Sequence, residues 1–305
     1  MSTNSNSSFS RLTGARQTMM SWARRVYSFD EVPEIYKNAY EALVGNADSP
    51  PYSLVVPSQS KLWTIKPIEK LFCMTGETLY VLEEVGEQVV TAGYPFQDIY
   101  SLELGNILLY SWFSINAKTS AGSDAVLRVE FNEANLRHFE PFFDKMRPAP
   151  GELNQPEQKV ELAKFDYLSN ENFKFMNFSR KSLVRGEKVI HSFYQPGKRR
   201  SVVSLFGHGI YRSIFVDHIT ILTDKELILI GDADGIAENK RSRYGGVRNF
   251  IPLRSLASLT LEEQPDNLLS LTFQGKAGFH LVRLFDASQR DAVEALKKAV
   301  ESLAG

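Results

Sequence analysis

Apolar residues along this chain form many short β-type runs and two longer helical stripes. The clearest β-type pattern spans residues 219–231, where two apolar runs flank a polar turn. The turn consists of Thr223, Asp224, Lys225 and Glu226. Two β-branched runs of strand length around a short polar turn predict an antiparallel β-hairpin.

The two helical stripes share the spacing 3-4-3, which predicts one amphipathic helix each. Their members are Leu136, Phe139, Phe143 and Met146 in the first stripe, and Val293, Leu296, Val300 and Leu303 in the second. Pro141 falls inside the first stripe. That helix is therefore predicted either to be kinked or to begin near Glu140, with Pro141 in its first turn.

An internal repeat connects these patterns. The second stripe follows the first by 157 residues, and the same offset relates the strand-like segments 94–104 and 251–261. An offset of 148 residues relates the hairpin-like segments 73–82 and 221–230. The sequence therefore predicts two copies of one fold, each with several short strands followed by a helix.

The repeat defines four predicted regions. Residues 1–28 are a basic segment rich in Ser and Arg, and residues 29–147 form the first domain. Residues 148–164 are rich in turn-forming and polar residues, which predicts a linker. Residues 165–305 form the second domain.

The Thr223-Asp224-Lys225 hairpin and the order of strands and helix resemble the bacterial pleckstrin-homology-like domains and their GRAM relatives, twice in tandem. The segments 186–190 and 251–253 also match that family. The resemblance implies a mainly β fold (α+β by helix content) of two PH-like β-barrel or β-sandwich domains. In each, a C-terminal amphipathic helix closes one end. The first half departs from the pattern at 75–77, which reads Thr-Gly-Glu, and at the prolines of 50–51.

The resemblance implies a binding protein and no enzyme, because family members bind anionic lipids or peptides. Motifs for catalysis or nucleotide binding are missing from the sequence, so neither an enzymatic activity nor a cofactor is expected. The five histidines lack the spacing of metal ligands; they are His138, His191, His208, His218 and His280. The sequence also lacks a nucleic-acid recognition motif, and its net charge is −1, so nucleic acid is not an expected partner.

Cysteine content and hydropathy bear on the compartment. Cys73 is the sole cysteine among 305 residues, so no disulfide can form within the chain. A reducing, cytoplasmic location is the natural interpretation. No apolar run approaches the roughly 18 residues of a membrane-spanning helix, so any membrane association is expected to be peripheral.

Charge is distributed unevenly along the chain. Residues 30–147 carry a net charge of −8, whereas residues 180–305 carry +5. One interpretation is an ordinary solvated surface. The other is that the halves dock on each other or form a head-to-tail homo-oligomer.

The N-terminal segment leaves three interpretations open. Leu12, Met19, Trp22 and Val26 would share one face of a helix over residues 9–27, with arginines around it. Such a helix could lie on an anionic membrane. The alternatives are a disordered tail and a targeting segment rich in Ser and Arg.

Two insertions of nine residues distinguish the second half, one within 197–217 and one within 231–249. Both are basic, and their cations are the predicted anion-binding residues: Lys198, Arg199, Arg200, Arg212, Lys240, Arg241, Arg243 and Arg248. In an antiparallel meander these two loops emerge at the same end. Arginine suits phosphate oxygens, so this end is a candidate site for anionic lipid or a phosphorylated ligand. A further strand within 197–217 would reverse the parity, and solvated loops are the plain alternative.

The strand-like segment 107–115 has two apolar faces. Leu109, Phe113 and Ile115 would lie on one face; Leu108, Tyr110 and Trp112 would lie on the other. A half-exposed strand would alternate polar and apolar residues. The face of Tyr110 and Trp112 is therefore predicted to be an interface.

These patterns favour a peripheral adaptor that meets an anionic membrane or phosphorylated ligand through the second domain. The rival hypothesis is a protein-binding or oligomeric scaffold without a lipid ligand. Salt separates them, because electrostatic capture fades as ionic strength rises.

Overall fold

A computed structural model of the chain describes residues 22–45, 47–57, 69–205, 208–233 and 245–304. For residues 200–205 and 208–212 only the backbone is described. Within these ranges the protein is mainly β, with several antiparallel sheets and six α-helices. None of these helices is long and apolar enough to cross a bilayer.

The first sheet is built entirely from the first half of the chain and has the strand order β1-β2-β3-β4-β5. Its strands are β1 (Arg24–Val26), β2 (Ser53–Pro57), β3 (Glu69–Thr75), β4 (Thr78–Val85) and β5 (Gln88–Pro95). All neighbours in it are antiparallel.

A seven-stranded sheet joins the two halves in the order β8-β7-β6-β14-β13-β12-β9. Its strands are β6 (Ile99–Ile107), β7 (Tyr110–Lys118), β8 (Asp124–Asn132), β9 (Val189–Gln195), β12 (His218–Thr223), β13 (Glu226–Gly231) and β14 (Gly245–Pro252). The seam is the antiparallel pair β6–β14. Strands of the first half thereby extend a sheet of the second half.

Two smaller sheets complete the β structure. A two-stranded ribbon consists of β10 (Lys198–Leu205) and β11 (His208–Phe215). A three-stranded sheet consists of β15 (Leu256–Gln264), β16 (Leu268–Gly275) and β17 (His280–Asp286).

The predicted barrel form is not found. Among the described strands, every sheet is open and has two edges. The physical reason is the seam, because β6 hydrogen-bonds to β14 of the other half and so does not close a barrel within its own half.

Helices lie before and after the strands of each half. They are α1 (Lys37–Val44), α2 (Leu136–Met146), α3 (Gln155–Ala163), α4 (Leu168–Glu171), α5 (Phe173–Ser182) and α6 (Arg290–Ala304). The two predicted stripes lie on α2 and α6. Their buried members are Phe139, Phe143, Met146, Val293, Leu296 and Val300, whereas Leu303 is exposed. Pro141 lies inside α2, which begins at Leu136.

The same order of elements occurs in both halves. In the first half, β2–β5 are followed by β6–β8 and then by α2. In the second half, β9 and β12–β14 are followed by β15–β17 and then by α6. A short 3-10 turn follows both Pro95 and Pro252, and the predicted hairpins β3–β4 and β12–β13 are present. The division into domains 29–147 and 165–305 stays a prediction.

The central hairpin β12–β13 is buried on both faces, which explains its lack of polar alternation. On one face Ile221 and Ile228 join a core that includes Phe175 of α5. On the other face Leu222 and Leu227 join the core of β15–β17 and α6. Burial on both faces favours continuous β-branched and aliphatic runs over alternating ones.

Three predicted elements differ in the structure. The helical face through Trp22 and Val26 is wrong for its described part, because 24–26 is the strand β1, paired with β2, and Val26 is buried there. Residues 1–21 lie outside the described part. The segment 107–115 is not one strand: it turns at Leu108 and Leu109, and Leu108 has a φ of 56°. The predicted linker contains the helix α3.

Candidate functional site

Both basic segments, 197–217 and 231–249, begin at the same end of the seven-stranded sheet. Gln195, at the end of β9, is the register partner of His218 at the start of β12, and His218 is the partner of Gly231 at the end of β13. The amide of Asp232 donates to the carbonyl oxygen of Asp217 at 3.0 Å. The chain therefore leaves for 197–217 and for 232–244 from adjacent positions.

The first basic segment forms the ribbon β10–β11, which starts at this sheet end. The ribbon has two antiparallel strands, so the chain leaves the sheet and returns to it at the same end. Both basic segments therefore lie at one end of the sheet in the chain's path, as the meander argument predicted. Lys198 Nζ donates to Asp286 Oδ2 at 2.7 Å and to the Asp266 carbonyl oxygen at 3.3 Å. Arg199 is exposed, and the backbones of Arg200 and Arg212 are register partners.

The second basic segment is described only at its ends. Lys240, Arg241 and Arg243 lie outside the described residues. Arg248 lies inside β14, and its guanidinium carbon is 5.5 Å from the centre of the Phe178 ring. Burial lowers the pKa of Arg248 to about 10. Arg248 is thus set apart from the exposed part of this sheet end.

Two carboxylates at this sheet end form hydrogen bonds or an ion pair within the chain. Asp217 accepts hydrogen bonds from the Tyr194 hydroxyl at 2.9 Å and from the Gly197 amide at 2.8 Å. Lys174 forms an ion pair with Asp232. A cavity of about 270 Å³ lies here, with Arg199, Asp217 and Asp232 among its lining residues. Because two carboxylates line it, this cavity does not suit an enclosed phosphate group.

His218 is buried at the same end and stays neutral near pH 7. Burial lowers the pKa of its imidazole to about 4, and its Nδ1 lies 3.0 Å from the Val216 carbonyl oxygen. An uncharged imidazole cannot contribute a cation to this end. The described residues contain no group of side chains suited to hold a metal ion.

The predicted interface residues have different environments. Trp112 is fully buried, its Nε1 donates to Glu103 Oε1 at 2.7 Å, and Arg128 lies 5.1 Å from its ring centre. Tyr110 is 37% exposed and lies 5.4 Å from Trp112, ring centre to ring centre. Trp112 is thus covered within the chain, whereas Tyr110 remains accessible.

A larger cavity, which the sequence did not indicate, runs beside the edge strand β9. Its volume is about 580 Å³, and its lining residues are Tyr167, Glu171, Ser192, Phe193, Tyr194, Pro196 and Gln289. Burial raises the pKa of Tyr167 to about 12, so its hydroxyl is protonated at neutral pH. The mixed aromatic and polar lining suits a small amphipathic group.

Comparison with known proteins adds no family to this geometry. No protein-family model matches the chain, and no curated protein is similar enough to it to count as a relative.

Proposed function

We propose that this chain is a non-enzymatic binding protein with two PH-like units, and that it associates peripherally with an anionic membrane. The contact is made by the basic segments at one end of the seven-stranded sheet. A free phosphorylated ligand would use the same phosphate chemistry.

The PH-like part of the proposal is supported by the recurring order of elements. Four strands, three strands and a helix occur in each half, once the ribbon β10–β11 is set aside. The pairing of β6 with β14 joins the two units into one sheet, which would hold them in a fixed orientation.

The observation that carries the membrane contact is the common root of both basic segments. Gln195, His218 and Gly231 are adjacent in register, and the two connections share the hydrogen bond between Asp232 and Asp217. Segment 197–217 has four basic residues and one acidic residue. Such a local excess of cations is attracted to anionic lipid by about 1 kcal/mol per Lys or Arg near the surface.

The geometry favours a surface contact over a closed headgroup pocket. Asp217 and Asp232 line the cavity at the root, so a phosphate group there would meet two carboxylates. A surface contact through exposed ribbon residues such as Arg199 needs no phosphate group inside that cavity.

A charge-reversal experiment tests the proposal. The double variant Arg200→Glu with Arg243→Glu should lose binding to phosphatidylcholine vesicles that contain phosphatidylserine, measured by co-sedimentation. The matched control is Lys145→Glu with Lys188→Glu, which makes the same charge change at exposed positions near the opposite sheet end. The control should bind as the wild type does. An equal loss of vesicle binding in both variants would show that only the net charge of the chain matters, and would contradict a contact at this sheet end.

A protein-binding scaffold is the second candidate, and the cavity beside β9 favours it. Tyr167, Phe193 and Pro196 form an aromatic and apolar wall along an edge strand. Edge strands can add a peptide strand from a partner. Binding that persists at high salt and is lost in Tyr167→Ala would support this alternative.

A further inference from the structure

Strand β9 is an edge of the seven-stranded sheet, and part of its backbone edge is open. Among the described strands it pairs with β12 alone. Near the start of β9 the outer side is covered, because the Val189 amide donates to Glu161 Oε2 at 2.6 Å and Lys164 Nζ donates to the Val189 carbonyl oxygen at 2.8 Å. The cavity of about 580 Å³ lies beside the rest of the strand, from Ser192 to Pro196.

The register shows which backbone groups of β9 face this cavity. In an antiparallel sheet, successive residues of a strand point their backbone groups to alternate sides. Asp217 points toward β13, because its carbonyl oxygen accepts from the amide of Asp232. His218, the next residue, therefore points toward β9, where its partner is Gln195.

Ser192 and Tyr194 have the open backbone groups. Gln195 points toward β12, and so does Phe193, two residues before it. Ser192 and Tyr194 consequently point their amides and carbonyl oxygens away from β12, and no described residue bonds to these groups. The edge thus presents a donor and an acceptor at each of two positions about 7 Å apart. Another extended backbone matches this spacing.

The side chains of β9 alternate between two faces of the sheet. The Tyr194 ring centre lies 5.5 Å from that of Phe175 in α5, on the face whose core also contains Leu168 of α4. The Phe193 ring centre lies 5.4 Å from that of Phe285 in β17, on the opposite face. A strand added beside β9 places its own side chains alternately on these two faces.

The face of α4 is acidic at the cavity. Tyr167 and Glu171 line the cavity there. Glu171 is exposed and forms no ion pair with any residue that the structure describes. A Lys or Arg on this face can lay its aliphatic chain on the Tyr167 ring and bring its charge to Glu171. On the opposite face, Phe193 suits an apolar side chain.

We propose that β9 binds an extended peptide of a partner protein as an additional strand, and that this peptide alternates Lys or Arg with apolar residues. Its basic residues lie opposite Ser192 and Tyr194, on the face of Glu171, and an apolar residue between them lies opposite Phe193. The proposal goes beyond the membrane contact and names a partner for the scaffold alternative. A second copy of the chain fits less well, because antiparallel pairing of two β9 edges brings both Glu171 side chains to one face, where like charges oppose pairing.

Fluorescence anisotropy with labelled peptides and the full chain tests the charge preference. The probe peptide is Gly-Lys-Val-Lys-Val-Lys-Gly, and the matched control peptide has Glu in place of each Lys. The Lys peptide should bind at least about tenfold more tightly, because a carboxylate of the peptide beside Glu171 is unfavourable. Glu171→Lys should reverse this preference. The control Glu87→Lys, an equal charge change at the exposed turn β4–β5, should keep it.

N-methylated peptides test the backbone pairing. Methyl groups on the Lys amides block the donors that face Ser192 and Tyr194, so the affinity should fall at least about tenfold. Methyl groups on the Val amides point away from β9 and should change the affinity by less than about twofold. Ser192→Pro removes one donor of the edge and should weaken binding of the unmodified Lys peptide. Proline is tolerated on an edge strand where the amide faces outward, so this variant should fold.

The outcomes separate this proposal from the membrane contact. No binding of the Lys peptide, or equal binding of the Lys and Glu peptides, overturns it. Equal effects of the two N-methylation patterns overturn strand addition. A dimer that Ser192→Pro converts into a monomer in sedimentation velocity shows that a second copy occupies the edge, which also overturns it. Ser192→Pro and the wild type should co-sediment equally with vesicles that contain phosphatidylserine, so either proposal can fail while the other stands.

Discussion

Arg147 holds two buried carboxyl groups between the halves, and its removal gives a sharp test of the packing. It follows α2, and its guanidinium donates to Glu226 in β13 and to the Ser182 carbonyl oxygen. Glu187 Oε2 is 4.0 Å away. Both glutamates are fully buried, and Arg147 is the cation that pairs with Glu226.

The variant Arg147→Met keeps much of the side-chain volume but removes the charge. Loss of one partner of a buried ion pair costs about 3–5 kcal/mol of unfolding free energy. The guanidinium also lies 4.0 Å from the Phe250 ring centre. That cation–π contact adds about 1 kcal/mol. Urea denaturation followed by circular dichroism should therefore show a loss of about 4–6 kcal/mol.

A second substitution separates charge from packing. Arg147→Met with Glu226→Gln removes both members of the pair, so about half of the lost stability should return. A loss below about 1 kcal/mol in Arg147→Met, or no recovery in the double variant, would refute the charge argument.

The same cluster predicts a pH dependence. Burial, and next the neighbouring Glu226, raise the pKa of Glu187 in spite of Arg147. The folded state therefore binds this proton more tightly than the unfolded state. The stability that it contributes is present at low pH and is lost as pH rises through the raised pKa. Glu187→Gln should remove this loss, so that urea melts of the variant fall less steeply as pH rises above the ordinary pKa of a glutamate.

Other positions give further tests. Leu296→Ala and Phe143→Ala should each cost about 2–5 kcal/mol in urea melts because both side chains are buried; a cost below about 0.5 kcal/mol would contradict this. For His218, the folded pKa of about 4 lies below the ordinary value of 6.5, so about 3 kcal/mol of stability should be lost as pH falls from 6.5 to 4. His218→Asn should flatten that slope. Leu108→Asn should raise stability by about 1 kcal/mol, because Asn tolerates a positive φ; unchanged stability would show that the turn is not strained.

Features encoded by nearby residues could be predicted from the sequence. The hairpin at Thr223 was identified because an apolar run, a turn and a second run specify it locally, and Thr223 Oγ1 accepts from the amides of Lys225 and Glu226. The stripes on α2 and α6 were identified because one face of each packs on a sheet.

The β6–β14 seam could not be predicted, because an edge-to-edge pair between distant segments leaves no turn or periodicity in the sequence. The helix α3 did have a signal that was missed. Asn154 and Glu157 form a capping box, a spacing visible in the sequence.

The apolar turn was missed because its leucines look like part of a strand. Leu108 and Leu109 continue the apolar run into Tyr110, and the nearest Gly and Asn, Gly105 and Asn106, lie before the reversal, inside β6. Propensity alone assigns such a run to a strand. Substitution of the usual turn residues by leucine was thus visible only once the backbone was known.

The most direct measurement is flotation of the wild-type chain with two vesicle preparations, phosphatidylcholine alone and phosphatidylcholine with phosphatidylserine, each at low and high salt. The account predicts that the chain floats with the anionic vesicles at low salt, that part of this binding is lost at high salt, and that it stays unbound with the neutral vesicles. Equal binding to both preparations, or no binding to the anionic vesicles at low salt, would contradict it.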